Sequence, residues 1–502
     1  MVEKSTIYIM LNLNYLNFSD GAKYADIARN FVGGHEFVTS FNFWGGNNIL
    51  GISPFMPFFV SIFFKVFGIR DFTVILTSLF FFLLTLLFTF LLSKNIFKTN
   101  LIATLSTVCV GLNYDLINYA TNGASESPFI FEIVAATYLV SLRKTWGNMV
   151  AIFLFVAMYF TRPQAFIYIA GIILYYLLLN FKTQKAILYF IIVSVAGFLV
   201  DRFLLTPLSG KYFLYSVLGR GSDVLSQVGV GQSASDQLRS GVLTYNFSII
   251  ESLKKIFYNL YNFYKLLPQI INPYLFTLFV IGLFRKGNME LKTVAGFIVL
   301  TTLFVAAASI PFYRYIHPII PFVYIIAVAT LAEIVTNKKA LIFLVLIFAV
   351  GQTFGIIFLD SRFEKQNHNI GKPPVYVVLS QILKTNTSPN DVVVTNLDTW
   401  GSWYGERKTV WFPIEPKQLI DQTTGKIPFD AIYLTSYLID DQNYYMNNDW
   451  RQIFNNPTDS KKWTCDGCNE IAKEFTLKGV YTINSSDDYE RQDSKAVLLV
   501  RK

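Results

Sequence analysis

Apolar runs close to the length that crosses a bilayer as an α-helix fill the middle of this chain, at 72–93, 100–119, 126–142, 147–161, 163–180, 186–206, 268–284, 292–310, 313–335 and 340–359. The pattern predicts ten crossings. Ahead of them, the stretch from Ser53 to Ile69 is apolar but short, with Pro54, Pro57 and Lys65. Its prolines fall in the first turns, where a missing N–H costs little, so it reads as a juxtamembrane helix dipping into the outer leaflet. Earlier still, Ser19 to Gly34 is polar, and Asp20 opens a helix whose Tyr24, Ile27 and Phe31 share a face before Gly33-Gly34 stops it. This predicts an amphipathic helix on the membrane surface that presents a carboxylate at its start.

After residue 360 the long apolar runs end. Short runs at Asp391–Thr395, Lys408–Phe412, Ala431–Thr435 and Ala496–Val500 read as strands, with helical patterns at 374–385 and 415–422. The expected organisation is a first extracytoplasmic loop with juxtamembrane helices over 1–71, a transmembrane bundle over 72–360 and a soluble α/β domain over 361–502. No glycine-rich phosphate loop follows any strand, which argues against a nucleotide site.

Composition agrees, since 53% hydrophobic and 17% aromatic residues, including 48 Phe, exceed what a soluble chain of 502 residues carries. The fold class is therefore a polytopic α-helical membrane protein. A net charge of +9 would hint at nucleic acid in a soluble protein. Here the basic residues alternate from loop to loop: Lys94 and Lys98, Arg143 and Lys144, Lys182 and Lys185, Arg285 with Lys286 and Lys292, and Lys338 with Lys339 mark every second connection. By the positive-inside rule those loops are cytoplasmic. Residues 1–71 and 361–502 then share the outer face, the lipid bilayer is the expected partner and nucleic acid is not. Of three cysteines, Cys109 lies in an apolar run, and Cys465-x-x-Cys468 is either a local disulfide or a pair of plain thiols. Without a second pair or a neighbouring His it is a poor metal site.

Two carboxylates fall at that outer face in separate loops, Asp20 and, in Tyr119-Ala120-Thr121-Asn122-Gly123-Ala124-Ser125-Glu126-Ser127-Pro128, Glu126. Each could be a plain helix cap. Brought together they could deprotonate an acceptor and hold a divalent cation such as Mg²⁺ or Mn²⁺. Arg162 in Thr161-Arg162-Pro163 and Arg314 in Tyr313-Arg314-Tyr315-Ile316-His317-Pro318 sit at headgroup level. A guanidinium there either snorkels to the interface or binds a lipid phosphate through two parallel hydrogen bonds. His317 is a weaker candidate. Glu132, more than a turn into an apolar helix, should face the bundle interior or a wet cavity. Asp201 and Arg202 should interact locally. Six of the seven tryptophans, Trp44, Trp400, Trp403, Trp411, Trp450 and Trp463, lie in outward regions, where they either stack on a sugar or serve as anchors and domain core.

In their order along the chain these motifs resemble the membrane glycosyltransferases of the GT-C superfamily, which includes protein O-mannosyltransferases and the aminoarabinose transferases that modify lipid A. Members carry Asp-(Asp/Glu)-x-x-Tyr-x-x-x-(Ala/Ser)-Arg in the first outer loop, and this chain matches at Asp20, Tyr24, Ala28 and Arg29 but has Gly21 in place of the second acid. The proline-containing segment ending in Phe67-Gly68, Glu126-Ser127-Pro128, Thr161-Arg162-Pro163 and Arg314-Tyr315-Ile316-His317-Pro318 are similar to later family motifs, and Trp403-Tyr404-Gly405-Glu406-Arg407-Lys408-Thr409-Val410 to a pattern of extracytoplasmic tails. The similarity covers residues 18–335. Members also have a full transmembrane helix before the first acidic loop, where this chain shows only Ile7 to Leu16, interrupted by Asn12 and Asn14.

The resemblance implies a GT-C bundle of about ten to twelve helices and an inverting glycosyltransferase of the cell membrane. It would move a sugar from a polyprenyl-phosphate donor to a glycan, lipid or protein acceptor outside the cytoplasm. Asp20 would be the general base, Glu126 its assistant or a cation ligand, and Arg162 and Arg314 the binders of the departing lipid phosphate, with Tyr24, Arg29 and His317 in support. Two other readings compete. A transporter or flippase of lipid-linked glycans would use Glu132, but internal repeats typical of transporters are not evident. A membrane-anchored binding protein would need fewer spans.

Overall fold

A computed structural model describes residues 15–16, 18–42, 54–180, 185–205, 249–309, 311–359, 373–440, 445–484 and 493–502. The stretch from Ile7 to Asn14 and Trp44 therefore lie outside the described residues. The first elements are α1 (Ser19–Val32), β1 (Phe41–Asn42) and α2 (Phe55–Phe67), the amphipathic helix and the juxtamembrane helix of the sequence pattern flanking a short strand.

The bundle follows as α3 (Asp71–Phe97), α4 (Asn100–Gly111), α5 (Tyr114–Ala120), α6 (Glu126–Ser141), α7 (Thr145–Thr161), α8 (Ala165–Leu179), α9 (Lys185–Val200), α10 (Ile249–Lys265), α11 (Pro273–Phe284), α12 (Met289–Ala308), α13 (Ile320–Ile334) and α14 (Lys338–Leu359). Each of the ten apolar runs thus holds a helix. Among the described residues three helical segments, Asp71–Phe97, Met289–Ala308 and Tyr313–Ile334, are long and apolar enough to cross a membrane. The run at 100–119 is not one straight span: α4 and α5 meet at 68°. Asn113 makes the break, because its side chain accepts the Leu116 N–H at 3.1 Å, capping α5, and donates to the Tyr324 hydroxyl at 3.1 Å.

Helix α3 shows how the bundle packs. Thr73, Thr77, Ser78, Thr85, Thr89 and Ser93 are all buried on it, while Phe80, Leu83 and Leu87 are exposed. Between helices in lipid there is no hydrophobic gain, so close approach over small hydroxyl residues supplies the packing. Thr77 and Thr85 return their hydroxyls to the carbonyls of Thr73 and Phe81 at 2.9 and 3.0 Å, within their own helix.

The carboxyl-terminal domain contains α15 (Val375–Asn386), β2 (Val392–Thr395), α16 (Thr399–Trp403), β3 (Lys408–Trp411), β4 (Ala431–Thr435), α17 (Asn448–Asn455), α18 (Cys468–Glu474), β5 (Phe475–Ile483) and β6 (Ser494–Arg501). All four expected strands are present, and 415–422 holds only a 3-10 turn at Pro416–Leu419. The six strands run in the order β1-β3-β2-β4-β6-β5, parallel from β1 to β4 and antiparallel beyond. Two of them were not predicted. β5 alternates buried and exposed positions at a sheet edge, and β1 comes from the first loop, pairing Phe41 with Thr409 and Asn42 with Val410.

The two faces of the sheet pack differently. Val394, Ile432, Leu434, Val497 and Leu499 meet Trp450 and Ile471 of α17 and α18, whereas Val393, Ala431, Tyr433, Ala496 and Leu498 share one core with Leu379 of α15, Tyr24, Ala25 and Ile27 of α1, and Val60 and Phe64 of α2. The first loop is therefore built into the domain core. Trp400, Trp403, Trp411, Trp450 and Trp463 are all buried in this domain, so core packing explains them and sugar stacking does not. Cys465 and Cys468 are joined as a disulfide across the turn before α18.

Close contact fixes α1 from its other side as well. A Cβ on Gly21 would stand 2.4 Å from the Asn122 carbonyl oxygen, and Gly123, at φ +71°, lies with its own Cβ position 3.4 Å from the Gly21 Cα. A side chain at residue 21 has no room, which accounts for the missing second acid. Gly21→Ala is expected to destabilise the purified protein by about 1–3 kcal/mol, as overpacking does. Gly351→Ala, where the added methyl meets nothing within 4 Å, should leave the melting temperature unchanged or raise it. Thermal unfolding in detergent reads both.

Candidate functional site

Four charged side chains from four parts of the chain converge where α1 meets the bundle. Asp20 lies in the first turn of α1, Glu126 in the first turn of α6, Arg162 just past the end of α7, and Arg314 in the 3-10 turn Tyr313–Tyr315 that leads into α13. They alternate in sign. Arg162 pairs with Glu126, the Arg314 Nε lies 3.7 Å from the Glu126 Oε1, and the Arg314 Nη1 donates to the Asp20 Oδ2 at 2.6 Å. Two guanidiniums thus neutralise two carboxylates, the condition for holding such charges away from water.

Neither carboxylate is a helix cap. Phe18 occupies the N-cap of α1 and Ser125 that of α6, and neither makes a side-chain capping bond. The Ser125 hydroxyl is instead an acceptor inside the site, 3.1 Å from the Tyr24 hydroxyl and 3.3 Å from the Arg162 Nη1. The Tyr315 ring supports both arginines, with the Arg162 and Arg314 guanidinium carbons 5.6 and 6.0 Å from its centroid. Arg162 is buried, which rules out snorkelling.

Exposure separates the two acids. Glu126 is fully buried and its Oε2 has no hydrogen-bond partner among the described residues, while the Asp20 side chain keeps 34% of its surface open. Burial alone would raise the Asp20 pKa, but the charge and hydrogen bond of Arg314, helped by Lys23 and Arg162, outweigh it and hold the carboxylate below its ordinary value. Tyr24 moves the other way, because burial and the neighbouring Asp20 charge keep its hydroxyl protonated as a donor to Ser125.

Two supporting candidates have other partners. Arg29 pairs with Asp26 at 2.6 Å and donates to the carbonyls of Ser402 and Trp403 at 2.8 and 2.9 Å, so it joins α1 to the carboxyl-terminal domain and does not enter the charge cluster. His317 stands between Tyr119, at 2.5 Å from its Nδ1, and Asp115, at 3.4 Å from its Nε2. Glu132 faces the bundle interior as expected, fully buried, and accepts the Thr161 hydroxyl at 2.7 Å. Asp201 accepts the hydroxyl of Tyr159, on α7, at 3.3 Å. Ser125 and Tyr315 were not singled out from sequence, although each directly neighbours a residue that was.

Among the described residues no three His, Cys, Asp or Glu side chains converge, and both carboxylates already face guanidiniums that would repel a metal ion.

A family model described as dolichyl-phosphate-mannose-protein mannosyltransferase matches residues 52–201. A protein of Aquifex aeolicus with no described function is 28% identical over 202 residues, 39% of this chain and 38% of its own length. Two crystal structures of ArnT from Cupriavidus metallidurans share the fold at 12% identity. The apo form gives a TM-score of 0.51 over 99% of this chain and 96% of ArnT, and the form bound to undecaprenyl phosphate gives 0.55 over 99% and 97%. The resemblance to the GT-C superfamily read from the motifs is borne out, and the fold is shared with ArnT.

The two acids should respond differently to neutralisation. Glu126→Gln leaves the buried Arg162 without its counter-charge and is expected to cost about 3–5 kcal/mol. Asp20→Asn, at the half-exposed end of the chain of charges, should cost about 1 kcal/mol or less. Thermal unfolding of the two variants checks the order.

Proposed function

We propose that this chain is an inverting glycosyltransferase of the plasma membrane that moves a sugar from a polyprenyl-phosphate donor to an acceptor hydroxyl outside the cytoplasm. The observation that carries the reading is the alternating cluster Arg162, Glu126, Arg314 and Asp20, with its single half-open carboxylate at one end. The family match to a dolichyl-phosphate-mannose-dependent transferase and the fold shared with a protein that binds undecaprenyl phosphate support the donor class.

In a single displacement the acceptor oxygen bonds to the anomeric carbon as the bond from that carbon to the phosphate oxygen breaks. The acceptor's proton passes to Asp20 and the electron pair leaves with the lipid phosphate, whose added negative charge Arg314 and Arg162 stabilise. Glu126, buried against two guanidiniums, keeps both in place when no donor is bound. A covalent intermediate would require a carboxylate free to attack the sugar, and Glu126 has neither exposure nor freedom to do so.

The same geometry makes the base depend on the donor. Arg314 depresses the basicity of Asp20 in the resting protein, and a phosphate that draws on the same guanidinium releases Asp20 to take a proton. The sign follows: a carboxylate with a depressed pKa stays ionised as pH falls, and removing Arg314 leaves burial to raise it.

With a polyprenyl-phosphate sugar as donor, Asp20→Asn is expected to lower turnover by about 10²–10⁴-fold, the usual contribution of a positioned base. Turnover at the wild-type rate by folded Asp20→Asn protein contradicts the assignment. The acid limb that Asp20 gives the wild-type kcat/KM should lie below the ordinary carboxylate range, and Arg314→Gln should move that limb upward besides weakening donor use. Steady-state kinetics across pH measures both.

A further inference from the structure

The segment that carries Asp20 is held at both ends by the carboxyl-terminal domain. Ahead of α1, the Leu16 N–H donates to the Tyr404 hydroxyl at 2.9 Å, the Tyr376 hydroxyl donates to the Leu16 carbonyl at 3.0 Å, and the Thr399 hydroxyl donates to the Ser19 carbonyl at 2.8 Å. At the far end Arg29 reaches the carbonyls of Ser402 and Trp403 and lies over the Trp403 ring, 4.9 Å from its centroid.

These two anchors are tied to the bundle through one residue. Asp71, in the first turn of α3, accepts the Trp403 Nε1–H and the Tyr404 hydroxyl, each at 2.7 Å, and lies within reach of the Leu16 N–H. Phe64 of α2 stacks on Trp403 with the rings 7° from parallel. The Tyr404 hydroxyl is the junction: it donates to Asp71 and accepts from a backbone N–H four residues before Asp20. Leu16 is fully buried, so that N–H has no water to replace a lost partner.

We propose that the carboxyl-terminal domain acts as a positioning device for the base, with Tyr404 and Asp71 as the positioning residues that set where Asp20 stands against Arg314. The proposal rests on the assignment of Asp20 as base and goes beyond it, since the domain then has a part in turnover without touching the reacting atoms. A shift of about 1 Å at a reacting group costs about 10²-fold in rate, so a latch that fixes the approach of α1 matters to turnover even where overall stability is unchanged. The groups facing Asp20 are Arg314 and Arg162 from the bundle, Lys23 and Tyr24 from α1, and Glu126 from α6. Loosening the latch lengthens the pair with Arg314 first.

Tyr404→Phe removes the junction hydroxyl and keeps the ring, and Asp71→Asn keeps the shape and removes the charge. Both are tested in the full chain in detergent by hydrogen exchange, thermal unfolding and kinetics. The expected result is faster exchange over residues 16–24 with the bundle unchanged, kcat lower by about tenfold, donor KM within about twofold, and the acid limb of kcat/KM displaced upward. Unaltered exchange over 16–24 in both variants overturns the proposal. So does a loss of rate that follows the loss of folded protein with the acid limb in its wild-type place. Exchange is read without turnover, so this failure is distinguishable from a failure of the Asp20 assignment, which shows as full activity in Asp20→Asn. If Tyr404→Phe does not fold, Asp71→Asn decides between the same two outcomes.

Discussion

The ion pair between Asp20 and Arg314 is the contact on which the rest depends, because it joins the one half-open carboxylate to a buried set of charges. Four ionised side chains in one place are tolerable only when their signs alternate and each has a partner. The order Arg162, Glu126, Arg314, Asp20 meets that condition with no net charge. On the proposed reading, an anionic donor enters by competing for guanidiniums already held in place, so little reorganisation remains for the moment of reaction. On the same reading, the arginines hold the base in an inactive form and also bind the group whose arrival activates it.

Around this contact the fold works by close approach. Gly21 and Gly123 let α1 lie directly on the turn that carries Ser125 and Glu126, and the hydroxyl-lined face of α3 lets α6 come near. From above, the carboxyl-terminal domain takes a strand and a helix of the first loop into its sheet and core. Two polar regions far apart in sequence therefore form a single body over the bundle.

Much of this was legible in the sequence. The period and length of apolar runs located a helix in each of ten segments, and β-branched runs located four strands, because those signals are local. The alternation of basic loops put Asp20, Glu126, Arg162 and Arg314 on one face, and the order of their motifs carried the family resemblance. What was missed depends on distant partners. β1 is two residues long and forms only because β3 offers an edge, the bend at Asn113 depends on Tyr324, and Arg29 points away from the site because carbonyls some 370 residues later accept its hydrogens. The tryptophans misled for the opposite reason: their number in outward regions suggested ligand stacking, when a small sheet domain needs them to fill its core.

The most direct test of the central claim is the stereochemistry of transfer. With a polyprenyl-phosphate sugar of known anomeric configuration as donor, proton NMR of the first product reads the configuration at the newly bonded carbon. A single displacement with Asp20 as base predicts inversion. Retention would require an enzyme carboxylate, Asp20 or Glu126, to bond to the sugar in an intermediate, and would contradict the roles proposed for both.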